Sequence, residues 1–155
     1  MAAVLQIGAH LVTVLPVRHA QPGTAVLYVV ERGGRRLLYA TDTGPLRHRD
    51  LETLNGRPCD LVLLEETFGD RPVPAADHIN LRTFADTVDL LRQTGAVTGS
   101  TDVVAIHLGH HNPPLPELSE RLGAVPARVV SDGTTLVVGG TAGDPDSPCS
   151  GPDPR

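Results

Sequence analysis

Short apolar runs separated by turn residues occupy the first forty positions of the chain. Residues 11–15 and 25–30 form two such runs, and the pair Gly33-Gly34 precedes a third run at residues 37–40. Runs of this length bounded by glycine and proline are typical of β-strands, and a Gly-Gly pair favours a tight connection. The pattern therefore predicts three successive strands, the last two joined as a hairpin.

The pattern changes at Leu46, where helical and strand-like segments begin to alternate. Residues 46–54 are helix-like, and residues 60–64 are a continuous apolar run typical of a strand buried on both faces. A second helix is predicted over residues 81–91, where apolar residues recur at helical spacing, with Asn80 as its N-cap and Gly95 as its stop. The remaining predictions are a strand at 103–106, a helix at 115–122, and strands at 127–130 and 135–138.

Composition limits the class of protein. The chain has 155 residues, a formal net charge of -5 and scattered basic residues, which disfavours a broad nucleic-acid surface. Two cysteines, Cys59 and Cys149, provide no disulfide framework, and the first twenty residues lack the basic start of a signal peptide, so we expect a cytoplasmic protein without a membrane segment. Its size predicts one domain over residues 1–139, followed by a disordered tail at 140–155.

Four polar side chains follow or precede the predicted elements at their ends. His19, Asp42 and His107 each come after a strand, and His78 precedes the second helix. Ligands of open α/β sheets usually bind at strand ends, and imidazole and carboxylate groups suit zinc, manganese or iron.

Each of these residues also has an ordinary structural interpretation. Asp42 lies in a Thr-Asp-Thr-Gly sequence that forms turns, and His19, His78 and His107 could be partly buried loop histidines. The other histidines are assigned to surface or packing positions: His10, His48, His110 and His111.

Four stretches, read in order, resemble late motifs of the metallo-β-lactamase superfamily. They are residues 15–19 (Leu-Pro-Val-Arg-His), 38–44 (Leu-Tyr-Ala-Thr-Asp-Thr-Gly), 77–80 (Asp-His-Ile-Asn) and 106–110 (Ile-His-Leu-Gly-His). The likeness runs from about residue 11 to 138 and is closest to the phosphodiesterase branch. It implies an α/β fold, the C-terminal portion of an αββα sandwich.

The resemblance also implies a role for each motif residue. His19 would bind a first ion, Asp42 would bridge two ions, and His107 would bind the second, whereas His78 would assist at the substrate phosphate. His110 competes with His107 for the last ligand position. A complete domain of this kind holds two divalent ions, zinc or manganese, and acts on a small-molecule or phosphodiester substrate.

One departure from the family pattern limits what the chain is expected to do alone. Its His-x-His-x-Asp-His motif does not occur here, and its place would be upstream of Met1. With three of the ligands, we expect weak metal binding and poor turnover. Half of a sandwich also leaves an apolar sheet face uncovered, so we expect an unstable, sticky or homo-oligomeric product.

Three other functions fit parts of the sequence. The first is an inactive remnant of the same fold that serves as an interaction module. The second is a retroviral-type aspartic protease, because Asp42-Thr43-Gly44 matches the motif of that class, although the helical period at 81–91 argues against an all-β protein. The third, a Rossmann-type nucleotide-binding domain, lacks its glycine-rich fingerprint.

Overall fold

A computed structural model describes residues 2–17, 19, 25–54, 56–72 and 78–139. The predicted disordered tail at 140–155, Cys149 and Asp77 of the third motif lie outside these residues.

Seven strands form a single mixed sheet, and their order in the sheet is their order in the chain. The strands are β1 (Ala3–Ile7), β2 (His10–Pro16), β3 (Val26–Arg32), β4 (Arg35–Ala40), β5 (Leu61–Glu65), β6 (Asp102–Ile106) and β7 (Arg128–Val129). The helices are α1 (His48–Leu51), followed by a 3-10 turn (Glu52–Leu54), then α2 (Leu81–Gln93) and α3 (Leu115–Gly123).

The sheet has an antiparallel half and a parallel half. Strands β1 to β4 pair antiparallel, with the predicted Gly33-Gly34 turn between β3 and β4. Strands β4 to β7 pair parallel, and their connections contain α1, α2 and α3. The β2 and β4 strands therefore run in the same direction as β5 and β6, so that all four end at one edge of the sheet.

One face of the sheet and the helices enclose the hydrophobic core. Alternate residues of the strands, such as Leu27, Leu38 and Leu64, pack with Phe84 and Leu91 of α2. Helix α2 begins where the sequence predicts, because the Asn80 side chain accepts a hydrogen bond from the backbone N–H of Thr83. Cys59 is buried in the same core.

The second face of the sheet is less well covered. Tyr28 and Tyr39 are exposed there, and β1 is exposed along its whole length, with Val4, Leu5 and Ile7 as its exposed apolar residues. This strand was not predicted, and Gly8 in a left-handed conformation (φ 58°) allows the turn that joins it to β2.

The predicted strand at 135–138 is wrong. This segment is irregular in the structure, and its backbone does not extend the sheet. Leu136 lines a cavity of about 580 Å³ with Leu63 and Ile106. The next residue, Val137, is 75% exposed. The short run that follows the Ser131-Asp132-Gly133 turn thus contributes side-chain packing and not a strand.

The other predicted elements are confirmed, with small shifts at their ends. The helix predicted at 46–54 is shorter, beginning at His48 and continuing as the 3-10 turn. The strand predicted at 127–130 has only two paired residues. Among the described residues, no helix has the length and hydrophobicity needed to cross a bilayer.

Candidate metal centre

The predicted site residues meet at the edge of the sheet where β2, β4, β5 and β6 end. His19 follows β2, Asp42 lies two residues beyond β4, Glu65 is the last residue of β5, and His107 directly follows β6. Residues at the carboxyl ends of strands that run in one direction lie at the same sheet edge, which brings together positions far apart in sequence.

Three imidazole nitrogens surround one carboxylate oxygen. The distances to Asp42 Oδ1 are 3.2 Å from His19 Nε2, 3.8 Å from His78 Nδ1 and 4.0 Å from His107 Nε2. The structure thus brings all four predicted site residues together. Asp42 remains 60% exposed, so this cluster opens to solvent.

Two residues of the cluster hold a left-handed backbone. The φ angles of Asp42 and His107 are 53° and 56°. For a residue other than glycine this conformation costs about 1–2 kcal/mol, although aspartate and histidine adopt it more readily than most. In both cases the unusual backbone lies within two residues of a strand end, and the side chain faces the cluster.

Glu65 is the hydrogen-bonding centre of the site. The side chain is fully buried, and its Oε1 accepts hydrogen bonds from the backbone N–H of Ile79 (3.0 Å) and the hydroxyl of Thr67 (3.0 Å). The same oxygen lies 2.7 Å from His78 Nδ1, and Oε2 accepts from the backbone N–H of Thr43 at 2.7 Å. One carboxylate therefore ties together the segments that carry Asp42 and His78.

Thr67 extends this network to His107. Its hydroxyl lies 2.9 Å from His107 Nδ1 and donates to Glu65. Because a hydroxyl has one proton, a Thr67 that donates to Glu65 must accept a hydrogen bond from His107 Nδ1–H. The lone pair of His107 then lies on Nε2, the nitrogen that faces Asp42, which is the arrangement found in metal-binding histidines.

His78 is held from two sides. Its Nδ1 bonds Glu65, and its ring contacts that of His19, with centroids 4.7 Å apart, so its Nε2 is the nitrogen left for another partner. The ring is mostly buried, with 22% exposure of the side chain.

The structure distinguishes the two candidates of the fourth motif. His107 faces Asp42, whereas the ring of His110 packs against that of His111 at a centroid distance of 3.8 Å. Among the described residues, the possible metal-binding groups are His19 with Asp42 and His78, and Glu65 with His78 and His107.

The residues present fit a divalent metal ion. His19 Nδ1 is buried and, within the described part of the chain, has no hydrogen-bond partner, while its Nε2 faces Asp42. Imidazole and carboxylate are the normal protein ligands of zinc and related ions, and the ligand atoms of each group lie within 4.8 Å of one another. His19 with Asp42, and Asp42 with His107, would hold such ions, and His78 belongs to both possible groups.

A second carboxyl group lies behind the site in a different environment. Glu66 is fully buried, its Oε1 accepts from the backbone N–H of Gly69 at 2.9 Å, and its Oε2 has no partner among the described residues. Burial raises the pKa of Glu66 to about 7. Nearby, the side-chain amide of Asn112 donates to the backbone oxygens of Glu66 (3.3 Å) and Gly109 (3.2 Å), which joins the loop after β5 to the loop after β6.

Glu65 and Thr67 were missed by the sequence-based prediction. The predicted strand ends at Leu64, and the prediction assigns no role to the polar residues that follow it, Glu65, Glu66 and Thr67. The available signal was a carboxylate immediately after a strand buried on both faces, which is the same strand-end position that identified Asp42 and His107.

Comparisons with known proteins address the fold and the family of the chain. The family model described as a beta-lactamase superfamily domain matches residues 2–141. The metallo-β-lactamase fold protein YhfI from Bacillus subtilis aligns with 19% identity and a TM-score of 0.66, covering 85% of this chain and 50% of YhfI. Zinc-bound PqqB from Methylobacterium extorquens aligns with 20% identity and a TM-score of 0.63, covering 87% of this chain and 53% of PqqB.

A third structure, unliganded yeast PDE1, aligns with 12% identity and a TM-score of 0.54, covering 83% of this chain and 45% of PDE1. No curated protein matches the sequence. The chain spans about half the length of these structures. At these identities the structures show the fold, and the family model shows the family: the chain belongs to the beta-lactamase superfamily and has an α/β structure of the metallo-β-lactamase fold.

Proposed function

We propose that this chain provides one side of the metal centre of a phosphodiesterase-type hydrolase. The observation that carries the proposal is the approach of three histidine nitrogens to within 4.0 Å of Asp42 Oδ1 at one sheet edge. A divalent ion bound there would supply a Lewis acid and activate water near neutral pH. His19 and Asp42 are the proposed ligands of one ion, Asp42 and His107 those of a second, and zinc or manganese is the proposed metal.

The proposed activity belongs to a complete domain. When two ions share three ligands, each ion has fewer than the three protein ligands that a catalytic zinc ion usually has. The chain also spans only about half the length of YhfI and PqqB. We therefore propose that further ligands come from a polypeptide segment packed on the second face of the sheet, where Tyr28 and Tyr39 are exposed.

His78 is proposed to act on the substrate. In phosphodiester hydrolysis a P–O bond to water forms, the P–O bond to the leaving oxygen breaks, and the leaving oxygen takes a proton. His78 Nε2 is free of the bond that Nδ1 makes to Glu65, so it can donate that proton, and the Glu65 carboxylate stabilises the charged imidazolium. This pairing of a histidine with a buried carboxylate favours proton transfer over a purely structural role.

The experiment compares the parent chain with Asp42→Asn and His78→Gln, saturated with zinc or manganese, on bis(4-nitrophenyl) phosphate. We expect slow metal-dependent hydrolysis by the parent and loss of both metal and activity in Asp42→Asn. His78→Gln should retain metal but lose about 100-fold in rate, the lower range for loss of a general acid. Loss of metal in His78→Gln would make His78 a ligand, and a parent chain that retains neither zinc nor manganese would favour the inactive interaction module.

A further inference from the structure

Beside the metal centre, a short row of basic and aromatic side chains leads outward from His78. The ring of Phe68 contacts His78 at a centroid distance of 5.5 Å and stacks on His111 at 5.6 Å, with only 14° between the planes of Phe68 and His111. Arg71 Nη1 then lies 3.1 Å from His111 Nε2. The Phe68 ring therefore separates His78, the proposed general acid, from an exposed arginine–histidine pair, Arg71 and His111.

The segments that carry Arg71 and His111 are anchored by backbone contacts. The backbone N–H of Arg71 donates to Phe68 O at 3.0 Å, and Arg71 O accepts from the Asn80 side chain at 2.8 Å. Gly69 packs so closely on His111 that an added Cβ would lie 2.6 Å from the His111 carbonyl oxygen. The loops after β5 and β6 are thus locked together, which fixes the pair relative to the metal centre.

The charges of the pair favour a negatively charged group. A guanidinium cannot accept a hydrogen bond, so Arg71 donates to His111 Nε2 and His111 is neutral in this contact. Partial burial, Arg71 and His110 all lower the pKa of His111. The guanidinium keeps further N–H donors in a fork suited to a phosphoryl or carboxylate group, on a chain whose overall charge is -5.

We propose that Arg71, oriented by His111, binds a second anionic group of the substrate while the scissile phosphodiester lies at Asp42 and His78. The inference rests on the proposed function. It narrows the substrate class to phosphodiesters that carry a further phosphoryl or carboxylate group on one of the two groups that the scissile phosphate joins. Phe68 sets the spacing between the two positions, because it packs against both His78 and His111.

The test uses equilibrium binding of two probes, thymidine 5′-monophosphate and thymidine 3′,5′-bisphosphate, to the full chain in chelator and in saturating zinc. In zinc, we expect Arg71→Ala to weaken the bisphosphate about tenfold, the usual effect of losing a charge-assisted hydrogen bond, and to leave the monophosphate unchanged. Arg71→Lys should give an intermediate loss. Arg92→Ala is the matched control, because it removes an exposed arginine of α2 that pairs with Asp89.

The failures of the two proposals give different results. If the metal centre is wrong, zinc and Asp42→Ala have no effect on either probe, while Arg71→Ala still weakens the bisphosphate. If the anion subsite is wrong, zinc strengthens both probes and Arg71→Ala binds both as the parent does, or weakens both equally. A thermal midpoint of Arg71→Ala equal to that of the parent excludes unfolding as the cause of a loss.

Discussion

The carboxylates at the two ends of the sheet have different hydrogen-bond partners. At the end where β3 turns into β4, Asp60 accepts from the guanidinium of Arg35 at 3.0 Å and from the backbone N–H of Arg36 at 2.7 Å. At the same end, the guanidinium of Arg128 bonds both carboxylate oxygens of Asp102 at 2.8 and 2.7 Å. These carboxylates have permanent cationic partners, as expected of groups that stabilise a fold.

At the other end, the described residues give the carboxylates different hydrogen-bond partners. Asp42 faces imidazoles, Glu65 accepts from imidazole, hydroxyl and backbone N–H groups, and the bond recorded for the Glu66 side chain comes from a backbone N–H. Among the described residues, Asp42 and Glu65 thus lie beside imidazole, hydroxyl and backbone N–H groups, which suits a site for a metal ion. One end of the sheet therefore pairs its carboxylates with guanidinium groups, whereas the other end places Asp42 among imidazoles.

The largest effect should come from breaking the network around Glu65. We predict that Glu65→Ala lowers the free energy of unfolding by about 3–5 kcal/mol, because it leaves several buried donors without an acceptor. Urea denaturation measures the loss. Glu65→Gln keeps the shape and one acceptor, so it should fold with a smaller loss, and a loss below about 1 kcal/mol in Glu65→Ala would contradict the role assigned to this carboxylate.

Glu66 should make the free energy of unfolding fall as pH rises. Its pKa is raised from 4.5 to about 7 by burial, so the folded chain binds a proton more tightly than the unfolded chain. The stabilisation is complete below about pH 4.5 and is lost as pH rises through 7. Glu66→Gln, which cannot ionise, should therefore be more stable than the parent at pH 8 by about 2–3 kcal/mol.

The measurement for Glu66 is the free energy of unfolding of both proteins between pH 5 and 8 in the presence of chelator. Parallel curves for the parent and Glu66→Gln would show that Glu66 is not the titrating group.

Asp60 should show the opposite pH dependence at the other end of the sheet. Partial burial alone would raise its pKa, but the Arg36 backbone N–H and the Arg35 guanidinium together hold the pKa below its ordinary value. Its stabilisation is therefore present above the unfolded pKa of 3.8 and is lost as pH falls below it. We predict that Asp60→Asn costs about 1–2 kcal/mol at pH 7 and reduces the acid sensitivity of the chain.

Thermal and urea unfolding of Asp60→Asn at pH 7 and below pH 4 tests this expectation. An unchanged stability at pH 7 would mean that the ion pairs at this end contribute nothing to the fold.

The smallest effect on stability is expected at Asp42. Asparagine tolerates the left-handed backbone that Asp42 adopts (φ 53°), and the side chain is exposed. We predict that Asp42→Asn changes the free energy of unfolding of the metal-free chain by less than about 0.5 kcal/mol, as is usual for surface substitutions. A large loss, measured by urea denaturation in chelator, would make Asp42 a structural residue.

The sequence predicts most of the fold because its periodicity is local. The helical spacing of Leu81, Phe84 and Val88 and the cap at Asn80 are visible in a short window, and both are confirmed. Strand β1 escapes such a pattern because its residues are exposed on both faces, so no alternation marks it. Residues 135–138 mislead because a short run after a turn looks like a strand in a local window, although the segment is irregular in the structure.

The site is less predictable because its contacts are distant in sequence. His19, Asp42 and His107 follow predicted strands, so strand-end position and the resemblance together suggested them, and they remain predicted ligands. The role of Glu65 depends on hydrogen bonds to His78 and Thr43, 13 and 22 residues away, which no local pattern reveals. The Arg71–His111 contact spans 40 residues.

The most direct test of the central claim is the zinc affinity of three proteins: the parent, Asp42→Asn and Asp60→Asn. Each variant removes one carboxylate charge, from the site end and the opposite end respectively, and competition with a fluorescent zinc chelator gives the dissociation constants. We predict that Asp60→Asn binds zinc as the parent does, whereas Asp42→Asn loses at least tenfold in affinity. Equal affinities in the parent and Asp42→Asn would contradict the assignment of this sheet edge as a metal centre.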